Sequence, residues 1–131
     1  MRKCLYLLAG LLCAGAMPAQ AQPYWTQESP ATSPSARSDH AMAYDAGHRQ
    51  VVLFGGVDGN DNFLGDTWVW DGTNWTQKSP GNSPPARIAH AIAYDAGHGQ
   101  TVLFGGGDST GDFLGDTWVW DGTTWTQKRA R

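Results

Sequence analysis

Residues 25–74 and 75–124 are the same fifty residues written twice. Thirty-five of the fifty positions match, and no gap separates the copies. Trp25 recurs as Trp75 and again as Trp125, where seven residues of a third copy begin. A period near fifty, carrying short apolar runs closed by paired glycines, is that of stacked β-sheet units. A sheet of this size has two faces and cannot bury both alone, so each unit must lie against another. The repeat therefore constrains architecture far more tightly than activity.

Within one copy, four strand candidates alternate with turn signals, the pattern of a four-stranded antiparallel meander. The first is His40 to Tyr44, in which large residues (His40, Met42, Tyr44) alternate with Ala41 and Ala43. The alanine side is expected to lie close against a neighbour. Val51 to Phe54 is apolar on both faces and is expected to be central and covered on both sides. Gly55-Gly56 ends it, supplying backbone freedom that a β-branched residue lacks. Thr67 to Trp70 puts Trp68 and Trp70 on one face, because side chains alternate with a period of two. Asp71-Gly72 opens a tight turn, and Trp75 to Gln77 is the fourth strand. The second copy repeats the series at His90 to Tyr94, Thr101 to Phe104, Thr117 to Trp120 and Trp125 to Gln127. In a meander, successive turns fall at opposite ends. The long polar segments Gly55 to Asp66 and Lys78 to Arg87 therefore share one end, where binding is expected.

Residues 1–21 read as a secretory signal peptide. Arg2 and Lys3 precede an apolar run from Cys4 to Met17, and Ala19-Gln20-Ala21 has the small-x-small form of a cleavage site. The residues before Cys13 do not suit lipoprotein processing. The expectation is soluble export, secreted or periplasmic, with an uncleaved N-terminal anchor as the alternative. Cleavage after Ala21 removes both cysteines, so no disulfide is available. It also leaves seven Lys/Arg against twelve Asp/Glu. That acidic balance argues against nucleic acid and anionic membranes as partners, and no other segment is long and apolar enough to span a bilayer.

The ordered set Ala-Arg-x-x-His (Ala36, Arg37, His40; Ala86, Arg87, His90), an apolar strand closed by Gly-Gly, Tyr-Asp and Trp-Asp pairs, and a Trp shortly after Asp-Gly resembles kelch repeats, as in kelch and galactose-oxidase-like β-propellers. Gly47-His48 followed by Trp70-Asp71 imitates the other common propeller repeat, but the period and the Gly-Gly favour kelch. The resemblance implies an all-β fold of two four-stranded antiparallel blades. Each first strand would line a central channel and each fourth strand would lie at the rim. The expected division is a lead-in with an unpaired outer strand (22–36), blade 1 (37–77), a linker loop (78–86), blade 2 (87–127) and a truncated tail (128–131).

Two blades form an incomplete propeller, since rings close with typically four to eight. Burying one Trp side chain is worth roughly 4–6 kcal/mol as an upper estimate, against a net domain stability of about 5–15 kcal/mol. Uncovered outer blade faces are thus a large loss. The chain is expected either to be part of a longer array or to self-associate. Three copies would supply six blades.

The candidate binding residues are Arg37 and Arg87, the loop residues Asp58, Asn60, Asp61, Asp108 and Asp112, and the aromatics Phe63 and Phe113. The resemblance places the two arginines at the channel mouth, where a guanidinium fork suits an acidic ligand. The structural alternative bonds them to carbonyls of the neighbouring blade, or to Asp66 or Asp116. Asp58-Gly59-Asn60-Asp61-Asn62 invites a calcium reading, but it lacks the distal glutamate of the helix–loop–helix site, and its copy Asp108 to Asp112 loses the spacing. A polar surface loop is the favoured reading. His40 and His90 read as hydrogen-bonded packing residues in preference to metal ligands, and His48 and His98 as solvated turn residues, with no zinc spacing among them. The tryptophans read mainly as blade packing, which leaves Phe63 and Phe113 as the aromatics for a ligand. Asn74-Trp75-Thr76 fits a glycosylation acceptor but falls in a strand.

Galactose-oxidase chemistry needs copper and a tyrosine–cysteine crosslink, which a chain without cysteine after residue 21 cannot build. No cofactor is therefore expected. The reading is a non-enzymatic exported module that binds a protein or carbohydrate through its long-loop face. The alternatives are a fragment of a larger propeller enzyme, of oxidase or sugar isomerase type, and a partial gene product without independent function.

Overall fold

The structure is a computed structural model and describes residues 24–129. The expected leader (1–21) and the last two residues of the tail lie outside the described residues. All regular structure among the described residues is β-strand, in two four-stranded antiparallel sheets. Blade 1 comprises β1 (Ala41–Asp45), β2 (Gln50–Phe54), β3 (Thr67–Trp70) and β4 (Trp75–Lys78), paired in that order. Blade 2 comprises β5 (Ala91–Asp95), β6 (Gln100–Phe104), β7 (Thr117–Trp120) and β8 (Trp125–Lys128), with the same order.

The inner strands start one residue later than the sequence suggests. His40 and His90 belong to the approach to the strand and not to its ladder. Trp25 to Gln27, although it repeats the residues of β4, forms no strand. A β4 segment gains its ladder hydrogen bonds from a β3 partner, and none lies beside residues 25–27.

Register divides each sheet into two dissimilar faces. In blade 1, Ala41 pairs with Phe54 and Phe54 with Thr67, while Ala43 pairs with Val52 and Val52 with Val69. These small, branched and phenyl side chains share one face. The opposite face carries Met42, Tyr44, Trp68, Trp70 and Trp75. Blade 2 repeats both faces.

The two blades join by unlike faces. The buried core combines Val52, Phe54 and Val69 from blade 1 with Leu103, Trp118, Trp120 and Trp125 from blade 2. Trp125 is 1% exposed, packs edge-on against Phe54 with centroids 5.5 Å apart, and donates its indole N–H to Thr67 Oγ1 at 2.9 Å. Around this contact the Tyr94 hydroxyl accepts from Gly47 N at 2.9 Å, and Gly56 N donates to Arg87 O at 3.0 Å. The close approach explains the Gly-Gly pair. A Cβ on Gly55 would stand 2.6 Å from Arg87 O, and Gly55 and Gly56 adopt φ of 68° and 101°, a region open to glycine but not to branched residues.

Candidate functional site

The loops that follow β2, β4 and β6 gather at one end of the sheets, as the antiparallel order requires. Each blade builds this end on one arginine. Arg87 is buried and donates from Nε to Pro85 O, from Nη1 to Gly105 O, and from Nη1 and Nη2 to the two oxygens of Asp116 at 2.6 and 2.8 Å. Trp118 Nε1 adds a third donor to Asp116 at 2.7 Å. Blade 1 repeats the cluster: Arg37 bonds Ser35, Gly55 O and both oxygens of Asp66, and Trp68 Nε1 completes Asp66.

The Arg87 hydrogen bonds hold the Asp116 carboxyl at a pKa of about 2, against the opposing effect of its burial. Burial also acts to raise the Asp66 pKa, but its bonds to Arg37 and Trp68 together outweigh this and leave it lowered. Of the two readings of these arginines, the geometry supports the structural one. Their forks close on a carboxylate within their own blade, so the channel-mouth role implied by the resemblance is not what the geometry provides. The reason is the short reach from Arg87 to Asp116, two loops of the same sheet end, where a bidentate pair satisfies both charges in a partly dry setting.

Each arginine instead fastens the strand approach at 37 or 87 to the root of the long loop. The loop then shapes itself. Asp58 accepts from Asn60 N, Asn62 N and Asn62 Nδ2, each at 2.9 Å. The Asn62 side-chain bond is the leading cause of its lowered pKa. Asp108 does the same through Thr110 and Asp112 N, with the Thr110 hydroxyl as leading cause. Both aspartates thus organise turns, as Asx residues do. Asn60, Asp61 and Asp112 remain exposed on the tips, Asp61 at a φ of 61°. Phe113 projects with 98% exposure, whereas Phe63 is half-buried. Among the described residues, no group of three or more His, Cys, Asp or Glu side chains is placed to hold a metal ion.

His48 and His98 are exposed, as expected of turn residues, and His90 packs in the core as expected but without the expected hydrogen bond to its ring. His48 and His98 do not stand free in their turns. Their Nδ1 atoms bond Asp45 and Asp95 at 2.8 and 2.7 Å, and His48 borders the Gly122 turn of the other blade. The i, i+3 spacing of Asp and His was the available signal. His90 is buried edge-on against Phe54, with centroids 5.6 Å apart. Burial and then the Arg87 charge push its pKa down to about 4, so it is a neutral packing residue at pH 7. The Asn74 side chain accepts a hydrogen bond from Ala31 N at 2.9 Å, which ties the lead-in to the turn before β4.

Taken together, this end consists of a repeated arginine clamp, self-capped acidic loops and apolar strands closed by Gly-Gly. A family model of the KLHDC2/KLHL20/DRC7 Kelch-repeats domain matches residues 20–131. The chain belongs to the kelch-repeat family. Each of its sheets is one kelch blade, and the two together do not close a ring. Among curated proteins, none matches the chain. Kelch domains generally mediate protein interactions, so the coarse role is that of a binding module or a propeller fragment. In this chain the kelch arginine clamps stiffen the loops, and the chemistry left open at the loop end is acidic and amide side chains beside one phenyl ring.

Proposed function

We propose that the chain is an exported, non-catalytic kelch module that binds a protein or glycan at its long-loop end and associates with further copies to cover its open blade faces. The observation that carries the binding reading is the pairing of stiff loop roots with free tips. Arg37 and Arg87 are consumed in holding the loops, while Asn60, Asp61, Asp112 and Phe113 face solvent. Rigid presentation lowers the ordering cost of binding. Aspartate and asparagine suit the hydroxyls of a sugar or the cations and amides of a protein surface, and an exposed phenyl ring can stack on either. The non-enzymatic reading is supported by the two arginines, whose charges are spent on Asp66 and Asp116. Export is supported by Arg2, Lys3, the apolar run and Ala19-Gln20-Ala21.

The test is to screen the secreted protein, its N-terminus read by mass spectrometry, against a glycan panel and surface proteins. The expected result is a mature start at Gln22 and a ligand lost in Asp61→Lys and Asp112→Lys. A ligand that binds both variants as tightly as the parent chain would remove the loop end from consideration.

A further inference from the structure

The joint between the blades shows how two further surfaces of the same chain fit each other. The Val52, Phe54 and Val69 face of blade 1 is covered by the aromatic face of blade 2. The aromatic face of blade 1 and the Phe104 face of blade 2 are the two remaining surfaces, and each is the fifty-residue copy of one half of that joint. Phe54 is 0% exposed, whereas its copy Phe104 is 55% exposed. Met42 and Tyr44 are exposed, while their copies Ile92 and Tyr94 are partly covered. Both surfaces carry a hollow: one of about 460 Å³ lies between the lead-in at Glu28 and Pro30 and the Met42, Trp70 and Trp75 face, and another of about 430 Å³ is lined by Ile88, Ala91 and Phe104.

We propose that copies of this chain associate head to tail, the aromatic face of blade 1 in one copy seating on the Phe104 face of blade 2 in the next, through the same contacts that join the blades within a copy. This rests on the self-association proposed above and specifies its geometry. The groups that make the internal joint are all present on the open faces. Trp75 and Thr117 stand where Trp125 and Thr67 meet, Tyr44 and Gly97 where Tyr94 and Gly47 meet, and Gly106 N and Arg37 O where Gly56 N and Arg87 O meet. Clearance is present as well. A Cβ on Gly65 would press within 3.1 Å of Ala86 N across the internal joint, whereas a Cβ on its copy Gly115 would meet nothing within 4 Å. In the association, Gly115 leaves room for Ala36 of the next copy.

An interface between unlike faces repeats until the rotation closes it. Each copy adds two blades, so the closed ring holds an even number. Rings of four to eight blades correspond to two, three or four copies.

Light scattering and sedimentation equilibrium test this on the secreted parent and on two charge variants, Phe104→Glu and Met42→Glu. The last two substitutions sit on exposed side chains, and circular dichroism and thermal unfolding verify that each variant still folds. The parent is expected at two, three or four chain masses, and each variant at one. Mixing the two variants is expected to give a 1:1 dimer and nothing larger, since Phe104→Glu retains the aromatic face and Met42→Glu retains the Phe104 face. Gly115→Leu, which is uncrowded within a copy, is also expected to run as one chain. A parent that is monomeric at all concentrations overturns both the association and its geometry. A parent that is oligomeric but unaffected by the variants, or variants that fail to combine, overturns the head-to-tail geometry alone.

Discussion

At the scale of single residues, most polar chemistry in this chain serves the fold. Arg87 illustrates the point, since a buried guanidinium is tolerable only with its partners in place. Arg87→Ala leaves Asp116 with its Trp118 bond alone and empties the loop root. We expect it to destabilise the protein by about 3–5 kcal/mol, read as a shift in the urea midpoint. Arg87→Lys keeps the charge but not the two-pronged geometry, and should recover only part of that loss.

His90 gives a prediction with a definite sign. Its pKa falls from 6.5 to about 4 in the folded chain, so between those values the unfolded chain binds the extra proton. Stability should therefore decline as pH drops from about 6.5 to about 4. His90→Phe should flatten that part of the profile in urea titrations at stepped pH. Below it, the lowered carboxyl of Asp116 takes over, and its contribution is lost as pH falls from 3.8 towards about 2. The role of Arg87 was only half legible in the sequence. The Arg and Asp lie 29 residues apart, and nothing local says whether the fork turns inward to that carboxylate or outward to a ligand.

At the scale of strands and blades, the alternating pattern was highly legible. Thr67–Trp70 and Thr117–Trp120 form strands with the bounds the pattern suggests, because two Trp flanking a Val can bury one face only in an extended chain. His40 was misplaced by one residue. A His in an alternating run looks like a strand member, but Asp39 and Ala89 just before each His take a φ of 54°, which ends the extended run. The lead-in copy of β4 failed to form a strand for want of a neighbour. The joint between blades rests most on Trp125. Trp125→Phe keeps the ring contact with Phe54 but removes the donor to Thr67, and should cost about 1 kcal/mol. Trp125→Ala should cost about 3–5 kcal/mol. Both can be measured by chemical denaturation followed through the remaining indoles.

At the scale of the whole molecule, the joint is asymmetric and its halves recur unpaired at the two outer faces. Met42, Tyr44 and Phe104, exposed together on these faces, mark an interaction surface. If copies cover one another, folding and association are linked by mass action. The thermal midpoint should then rise with protein concentration across a hundredfold range, and Phe104→Glu should abolish the dependence. A midpoint independent of concentration in the parent chain would show that each copy is stable with both faces open.

The sequence alone determined the two four-stranded sheets, the face on which each side chain lies, and the end where the long loops gather. These follow from local rules: a period of two along strands, a period of fifty along the chain, and glycines where strands stop. Only the tertiary structure decided which copy of each residue is buried. Phe54 and Phe104, or Trp125 and Trp75, sit in nearly identical sequence, yet one of each pair is enclosed and the other is not. Burial is a property of what lies opposite a face, and a repeat cannot encode its own neighbour.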